Sequence, residues 1–366
     1  MSTRVLVVDD ASIFRHIVSE ALSGLPGVEV VGTAANGKLA LSRLAALKPD
    51  VVTLDIEMPE MNGLEVLESL RASGANTSAI MLSSRTVRGG EMTIRALEAG
   101  AFDFLTKPEG GTRDENLARL RDGLRGMIQA LERQREIRSI LNSRGPKTSA
   151  RPAPAEQPAP AVSVAGRSRS RTGSPIVLIG VSTGGPTALA QVIPALPPRL
   201  GAPVFIVQHM PPLFTEALAQ RLQTTSAIGV KEAEDGEIAR PDCAYIAPGG
   251  KQMKITPGQR GEIVIRINDD PPENACRPSV DYLFRSAALH FPGRSIAAIL
   301  TGMGNDGTEG MRMLKRGGSV NIAQDEGTCV VFGMPREAIL AGVVDTIAPI
   351  GKVAETIVRA ISEGRT

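Results

Sequence analysis

The stretch IVLIGVSTGGP, residues 176–186, is an unbroken apolar run that leads into Ser182 between glycines. A short apolar run bounded by Gly and Pro is typical of a strand buried on both faces of a parallel sheet. Gly180, Ser182 and Gly184 match the Gly-x-Ser-x-Gly pattern of a tight strand-to-helix turn that exposes a serine hydroxyl. A glycine-rich turn after a strand can equally cradle a nucleotide phosphate, so both interpretations stay open at this point.

Further apolar runs alternate with helical patterns after this stretch, up to about Ile361. They are APVFIVQ, CAYIAP, IVIRI, SIAAILTG and GSVNIAQ. Strands that alternate with helices indicate a parallel sheet covered by helices on both faces, with its site at the carboxyl ends of the strands. The sequence therefore predicts an α/β domain from residue 175 to residue 366.

The same alternation occurs between about Arg4 and Met127. The runs RVLVV, VEVVGTA, DVVTL, SAIMLS and AFDFLT predict five strands with five helices, of which the last extends to about Asn142. We expect a first α/β domain over residues 1–125. Residues 126–174 are predicted to contain the helix extension and a linker.

The linker prediction depends on composition. Between about Ser143 and Pro175 the chain is rich in Pro, Ala, Ser and Arg and has no periodicity, which is typical of disorder. Six basic residues stand against one acid, Glu156. The segment is interpreted as a solvated tether, with a docking patch for an acidic partner as the alternative.

The composition of the whole chain excludes several classes of function. Across 366 residues, 41 Lys and Arg balance 39 Asp and Glu, so no global charge indicates binding to nucleic acid or to an acidic membrane. No apolar run of about 18 residues and no signal segment is apparent, which predicts a cytoplasmic protein without membrane insertion. Three unpaired cysteines, Cys243, Cys276 and Cys329, indicate reduced thiols and no structural metal.

Acidic residues gather at the predicted strand ends of the first domain. Asp9 and Asp10 end the first strand, and Asp55 ends the third. Their carboxylates would form a hard-oxygen site for Mg²⁺, which would allow Asp55 to attack a phosphoryl group. Ser83 and Lys107, at the ends of the fourth and fifth strands, would hold the phosphoryl oxygens. Each acid taken alone could instead cap a loop or a helix.

The second domain offers few candidates for a base that activates Ser182. The chain has three histidines, and only His209 follows an apolar strand of this domain directly, although a structural role for it stays open. Asp306, within LTGMGNDG, could orient the imidazole or could merely cap the next helix. Backbone N–H groups of Thr183 and of the loop near Met303 could bind an oxyanion. The chain order Ser, His, Asp excludes the α/β-hydrolase superfamily, whose order is Ser, Asp, His.

The first domain resembles the receiver domain of two-component response regulators. The resemblance lies in VVDDA, LDIEMPEMNG, MLSS and FLTKP. It implies a flavodoxin-like fold, phosphorylation of Asp55 by a histidine kinase, and Mg²⁺ held by Asp9, Asp10, Asp55 and the backbone carbonyl of Glu57. It also implies a switch formed by Ser83 and Phe104 with Lys107, and a cis Lys107–Pro108 bond.

The second domain resembles the protein-glutamate methylesterases of bacterial chemotaxis. The motifs IGVSTGGP, VQHMPP, EAEDGE, YIAPGG, RPSVDYLF, LTGMGNDG and FGMPREA occur in the family's order. The resemblance implies a Rossmann-like, cofactor-free domain that hydrolyses glutamate γ-methyl esters on chemoreceptors and deamidates receptor glutamines. It implies a triad of Ser182, His209 and Asp306, with Thr183 and Met303 lining the oxyanion site.

Two departures from the family's pattern stand near these motifs. Val181 replaces a common alanine, and Asn274-Ala275-Cys276 stands where a Gly-His pair is frequent. The expected protein thus has two doubly wound parallel-sheet domains and is activated when phosphorylation moves the receiver off the cleft of Ser182. Two alternatives stay open, namely a non-enzymatic binding module and a chemosensory pathway that does not control swimming.

Overall fold

The chain folds into two α/β domains in a computed structural model that describes residues 2–143 and 173–364. The strands of the first domain are β1 (Thr3–Val8), β2 (Val28–Ala34), β3 (Val51–Asp55), β4 (Ser78–Ser83) and β5 (Asp103–Thr106). Its helices are α1 (Ser12–Ser23), α2 (Gly37–Leu47), α3 (Gly63–Ala72), α4 (Val87–Glu98) and α5 (Arg113–Ser143). Most of the predicted linker, residues 144–172, lies outside the described residues.

The second domain contributes the remaining elements. Its strands are β6 (Ile176–Val181), β7 (Val204–Gln208), β8 (Gly229–Glu232), β9 (Cys243–Ile246), β10 (Gln252–Pro257), β11 (Ile263–Asn268), β12 (Ser295–Ile299), β13 (Val320–Gln324) and β14 (Thr346–Ala348). Its helices are α6 (Gly185–Val192), α7 (Phe214–Thr225), α8 (Val280–His290), α9 (Thr308–Arg316), α10 (Met334–Leu340) and α11 (Ile350–Glu363). A 3₁₀ turn spans Glu326–Thr328.

Each domain is built on a parallel sheet. The first sheet has the strand order β2-β1-β3-β4-β5, and the second has the order β14-β13-β12-β6-β7-β9-β8. Every residue of β3, β6, β7 and β12 is buried, because helices cover both faces of the central strands. The predicted fold class, two doubly wound parallel-sheet domains, is confirmed.

The run IVIRI forms β11, but this strand does not join the large sheet. It pairs antiparallel with β10 in a separate two-stranded sheet that packs against α8. The ribbon contributes Met253, Ile255 and Ile265 to the apolar cluster beneath the large sheet. Within the described residues, no helix is both long enough and apolar enough to cross a bilayer.

Candidate active site and phosphorylation site

Ser182 lies in the sharp turn between β6 and α6. The turn closes by a 2.7 Å hydrogen bond from the Gly185 N–H to the Ser182 carbonyl, and Gly184 has φ 74°, a conformation that favours glycine. A Cβ on Gly184 would also lie 2.5 Å from the Cβ of Val330. The glycines therefore allow the chain to reverse tightly, which leaves Ser182 at the carboxyl edge of the sheet.

His209 follows the neighbouring strand, β7. Strands β6 and β7 are parallel, with Val181 opposite Gln208, so the next residues along the two strands are neighbours. The His209 N–H donates to the Val181 carbonyl over 3.2 Å, and the Gln208 amide donates to the Ser182 carbonyl over 3.0 Å. Sequence reasoning placed both side chains at this edge, and the structure brings their backbones together there.

Asp306 contacts the His209 ring. The Oδ2 atom of Asp306 lies 2.7 Å from Nε2 of His209, and the two side chains are 3% and 13% exposed. When the ring is neutral, the Nε2–H that donates to the carboxylate fixes one tautomer, in which Nδ1 carries the lone pair. In the described parts of the chain, the His209 ring contacts Asp306 and Cys276 and makes no hydrogen bond to the Ser182 hydroxyl. Such a catalytic hydrogen bond often forms only when substrate is bound.

The N-terminus of α8 binds the Asp306 carboxylate. Ser279 Oγ and the Asp281 N–H donate to Oδ1 over 2.9 and 3.0 Å, and the Val280 N–H donates to Oδ2 over 2.7 Å. The Asn274 amide adds a fourth donor at 2.9 Å. A helix N-terminus favours an anion because its backbone N–H groups point toward it.

Sequence reasoning missed these supporting residues, although RPSVDYLF was noted as a motif. One signal was present, since Ser279 stands directly before the apolar periodicity of α8, as N-cap residues do. Nothing in the sequence indicated that this cap also holds a carboxylate more than twenty residues away along the chain.

The His209–Asp306 contact changes the pKa of both groups. Burial lowers the pKa of His209, but hydrogen bonds to Asp306 and to Cys276 outweigh burial and raise it to about 9. Burial raises the pKa of Asp306, but His209 and the N–H groups of α8 lower it to about 2. The pair therefore favours an imidazolium beside a carboxylate.

The loop after β12 lies against the turn that carries Ser182. The Ser182 N–H donates to the Thr301 carbonyl over 3.0 Å, and Thr301 Oγ1 donates to the Thr183 carbonyl over 2.9 Å. A Cβ on Gly302 would lie 2.7 Å from the Cβ of Ser182. Thr183 and Met303, the residues predicted to line an oxyanion site, therefore belong to two loops that touch beside the serine.

The predicted phosphorylation site gathers at the carboxyl edge of the first sheet. Ligand oxygens of Asp9, Asp10 and Asp55 lie within 4.8 Å of one another, and Lys107 Nζ lies 2.7 Å from both Asp9 Oδ2 and Asp55 Oδ2. Burial, together with the charge of Asp9, raises the pKa of Asp55 to about 6 despite Lys107. The three crowded carboxylates offer the oxygen ligands that a hard divalent cation prefers, and the Lys107 ammonium offsets part of their negative charge. Glu57, whose backbone carbonyl was predicted as a ligand, lines the adjacent pocket with Asp10.

Ser83 contacts helix α4, and the peptide bond before Pro108 differs from the expectation. Ser83 Oγ accepts from Thr93 Oγ1 over 2.9 Å and lies 3.3 Å from the Gly89 carbonyl, so it is engaged by α4. The expected cis Lys107–Pro108 bond is wrong, because the single cis bond in the described parts of the chain is Arg277–Pro278. A trans bond is the ordinary preference before proline.

The first domain packs over the loops of the second. Phe104 stacks on Phe214 with ring centroids 4.8 Å apart, and helix α4 packs against α6 and α7. The Thr183 side chain, next to Ser182 in the chain, interacts with the buried Asp103 carboxylate of β5. A Cβ on Gly126 of α5 would lie 3.2 Å from the Met303 sulfur. The face formed by α4, β5 and α5 thus covers the entrance to the serine site.

Comparisons with known proteins match each half of the chain to a known family. Residues 177–357 match the family model described as CheB methylesterase, and residues 5–119 match the response regulator receiver domain. A protein-glutamate methylesterase/protein-glutamine glutaminase of Desulfotalea psychrophila is 48% identical over 359 residues, covering 98% of each chain. The Bacillus subtilis protein of that name is 43% identical over 367 residues, covering 99% of each chain.

A solved structure supports the fold of the second half. The CheB methylesterase catalytic domain of Thermotoga maritima is 45% identical with a TM-score of 0.50, and the match covers 51% of this chain and 99% of that one. Because relatives of 43% and 48% identity match from end to end, the chain belongs to the protein-glutamate methylesterase/protein-glutamine glutaminase family, with an N-terminal response regulator receiver domain.

Proposed function

We propose that this chain hydrolyses glutamate γ-methyl esters on chemoreceptors, deamidates receptor glutamines to glutamate, and is activated by phosphorylation of Asp55. The observation that carries the proposal is the Asp306–His209 pair, joined at 2.7 Å, at the sheet edge where the Ser182 turn also ends. A serine hydroxyl needs such a base, and a base needs a carboxylate that fixes its tautomer.

The reaction begins when Nδ1 of His209 removes the proton of Ser182 and the serine oxygen attacks the ester carbonyl. Nδ1 takes this role because Nε2 is engaged by Asp306. The imidazolium then protonates the methoxy oxygen, which leaves as methanol, or the amide nitrogen of a glutamine, which leaves as ammonia. Water hydrolyses the glutamyl-serine by the same route, which returns the hydroxyl to Ser182 and leaves a carboxylate on the receptor.

Charge on the tetrahedral oxygen is stabilised by backbone N–H groups in this proposal. Thr183 follows the nucleophile, and Met303 lies on the loop that touches the Ser182 turn. N–H groups held rigidly in a site from which water is excluded stabilise an oxyanion more strongly than water does. The close approach of Gly302 to Ser182 supports the assignment of this loop.

Regulation is proposed to act through the covered entrance. Asp55 accepts the phosphoryl group from a histidine kinase. Asp9, Asp10, Asp55 and the Glu57 carbonyl would hold Mg²⁺, which would neutralise charge during this transfer. Lys107 and Ser83 then bind the phosphoryl oxygens. A rearrangement of Ser83 and Phe104 would break the stack on Phe214 and uncover the cleft.

Receptor cytoplasmic helices and a chemotaxis kinase are the proposed partners, and the cytoplasm is the proposed compartment, because methylated receptor helices and the kinase are found there in the family that the sequence resembles. We propose no cofactor for the hydrolytic step itself. The chemistry described above needs only a serine, a histidine, an aspartate and water.

The test measures methanol release from methylated receptor cytoplasmic domains, with and without a small phosphodonor and Mg²⁺. We expect the phosphodonor to raise release by the wild type, Asp55→Asn to abolish that rise, and Ser182→Ala to lower release by at least about 10³-fold. Ser174→Ala, an exposed serine at the start of the domain, is the matched control. Receptor processing that persisted in Ser182→Ala would refute the serine mechanism, and activated wild type without any release would favour a binding module.

A further inference from the structure

We infer that Cys276 and His209 form a binding site for a soft divalent cation such as Zn²⁺, and that the bound ion reversibly inhibits the esterase. The inhibition half of this inference depends on the proposed role of His209 as the base, whereas the binding half does not. The site uses the second ring nitrogen of the histidine, the one that Asp306 leaves free.

The distance between the two ligand atoms fits a shared metal ion. Cys276 Sγ lies 3.6 Å from Nδ1 of His209. A tetrahedral zinc ion with bonds of about 2.3 Å to sulfur and about 2.0 Å to nitrogen separates those ligands by about 3.5 Å. The observed separation therefore accommodates the ion with little movement of either side chain.

Asp306 has the position of a supporting residue for such an ion. Ligand atoms of His209, Cys276 and Asp306 lie within 4.8 Å of one another. The Asp306 carboxylate already accepts four donors besides His209, so it is not free to bind the metal directly. By accepting the Nε2–H it leaves the Nδ1 lone pair of the neutral ring available to a metal ion, which is the carboxylate–histidine–zinc arrangement of many metal sites.

A tight turn presents Cys276 to the ring. Glu273 and Cys276 pair across the turn, and the two residues between them, Asn274 and Ala275, have φ of 51° and 59°. This left-handed pair matches a type I′ turn, an unusual conformation for alanine. Asn274 is anchored at both Asp281 and Asp306, over 3.0 and 2.9 Å. The thiol is therefore held in place by the same network that holds the Asp306 carboxylate.

The ligand types decide which cation binds. Thiolate and imidazole select zinc and related transition metals, whereas Mg²⁺ prefers the oxygen ligands of the receiver. Two protein ligands leave the other positions to water, which favours a reversible site over a permanently filled one. A zinc ion on Nδ1 removes the lone pair that would accept the serine proton, so bound zinc and catalysis exclude each other.

The first experiment measures metal binding without catalysis. The full chain is titrated with Co²⁺ in saturating Mg²⁺, and the thiolate-to-cobalt absorption band is recorded for wild type, Cys276→Ser, His209→Gln and the control Cys243→Ser, a free, half-buried thiol of the same domain. We expect the band in the wild type and the control, its loss in Cys276→Ser, and weaker cobalt binding by about tenfold or more in His209→Gln. A band that survives in Cys276→Ser, or no band in the wild type, would overturn the site.

The second experiment measures methanol release against Zn²⁺ without a phosphodonor, so that zinc at the receiver carboxylates has no effect on activation. The rate of each variant is expressed relative to its own rate without metal. The half-inhibiting zinc concentration should be higher by about tenfold or more for Cys276→Ser than for the wild type, and should not change for Cys243→Ser. Equal inhibition of both variants would assign zinc inhibition to another site. A cobalt band in a protein that releases no methanol would contradict only the esterase proposal.

Discussion

The contacts of His209 favour its charged form in the covered protein, and this limits its use as a base. Its raised pKa, about 9, comes from Asp306 and Cys276, which outweigh burial. The raised pKa makes the stability of the folded chain depend on pH. A raised pKa in the folded chain adds stability that is complete below the ordinary value of 6.5 and is lost as pH rises through about 9. Activity has the opposite dependence, because only the neutral ring accepts the serine proton.

We therefore predict that kcat/KM of the unphosphorylated chain rises with pH from about 7 toward 9. Cys276→Ser should shift this rise to lower pH, because it removes one of the contacts that raise the pKa of His209. The measurement is methanol release against pH in a buffer with a metal chelator. Cys243→Ser should leave the profile in place, and a profile that is flat for the wild type would contradict the prediction.

The sequence alone identified Ser182, His209 and Asp306 as candidates, because each stands at the end of a predicted strand or in a glycine-rich loop and histidines are few. It did not indicate that Cys276 contacts His209. That contact depends on the turn at Asn274 and Ala275, and alanine gives no signal for the left-handed conformation that it adopts there.

At the level of helices, strands and loops, two loops determine the position of Ser182. The loop after β12 touches the turn after β6, and Gly302 is the residue at the contact. Any side chain at this position would meet the Cβ of Ser182 at 2.7 Å and its backbone nitrogen at 3.1 Å. Both of those atoms are fixed by the turn, so the clash with an added Cβ can be relieved only if one of the loops moves.

We predict that Gly302→Ala lowers kcat/KM for methanol release by about 10²-fold, because a shift of this size moves the serine relative to its base. Gly351→Ala in α11, where a Cβ meets nothing within 4 Å, is the matched control and should retain wild-type activity. Circular dichroism melts would show whether both variants stay folded. Full activity in a folded Gly302→Ala would refute the contact's importance.

The sequence predicted the central strands well, since β6, β7 and β12 are buried on both faces and read as apolar runs. It missed β8, which is partly exposed at the sheet edge, β14, which is three residues long, and β10, which mixes buried and exposed residues. Edge strands carry mixed side chains, so their pattern does not stand out from that of a loop. The sequence also could not show that β11 leaves the main sheet to pair with β10.

At the scale of the whole molecule, the contact between the domains combines apolar and charged residues. Besides the stack of Phe104 on Phe214, the Arg221 Nε atom of α7 lies 2.7 Å from Glu98 of α4. The two charged side chains are 46% and 26% exposed, so solvent weakens their attraction. The sequence could not reveal this interface, because aromatic residues that join two domains have the same pattern as residues of a single core.

We predict that Arg221→Glu raises methanol release by the unphosphorylated chain up to about fivefold, since a partly exposed pair contributes about 0.2–1 kcal/mol and the change replaces attraction by repulsion. The double variant Glu98→Arg, Arg221→Glu should restore the low rate. Rates measured at two salt concentrations provide a further check, because the effect should shrink as salt screens the charges. Equal rates for the single and double variants would mean that this pair does not hold the domains together.

The stack of Phe104 on Phe214 also determines which enzyme molecules keep the phosphoryl group on the receiver. If phosphorylation separates the domains, then separation of the domains must, by the reciprocity of linked equilibria, favour phosphorylation. A receptor helix that occupies the cleft excludes the receiver from it, and so raises the equilibrium phosphate content of that enzyme molecule. Enzyme molecules bound to methylated receptors would thus stay phosphorylated, while unbound molecules would lose their phosphate. Activity would therefore concentrate at receptors that still carry methyl esters.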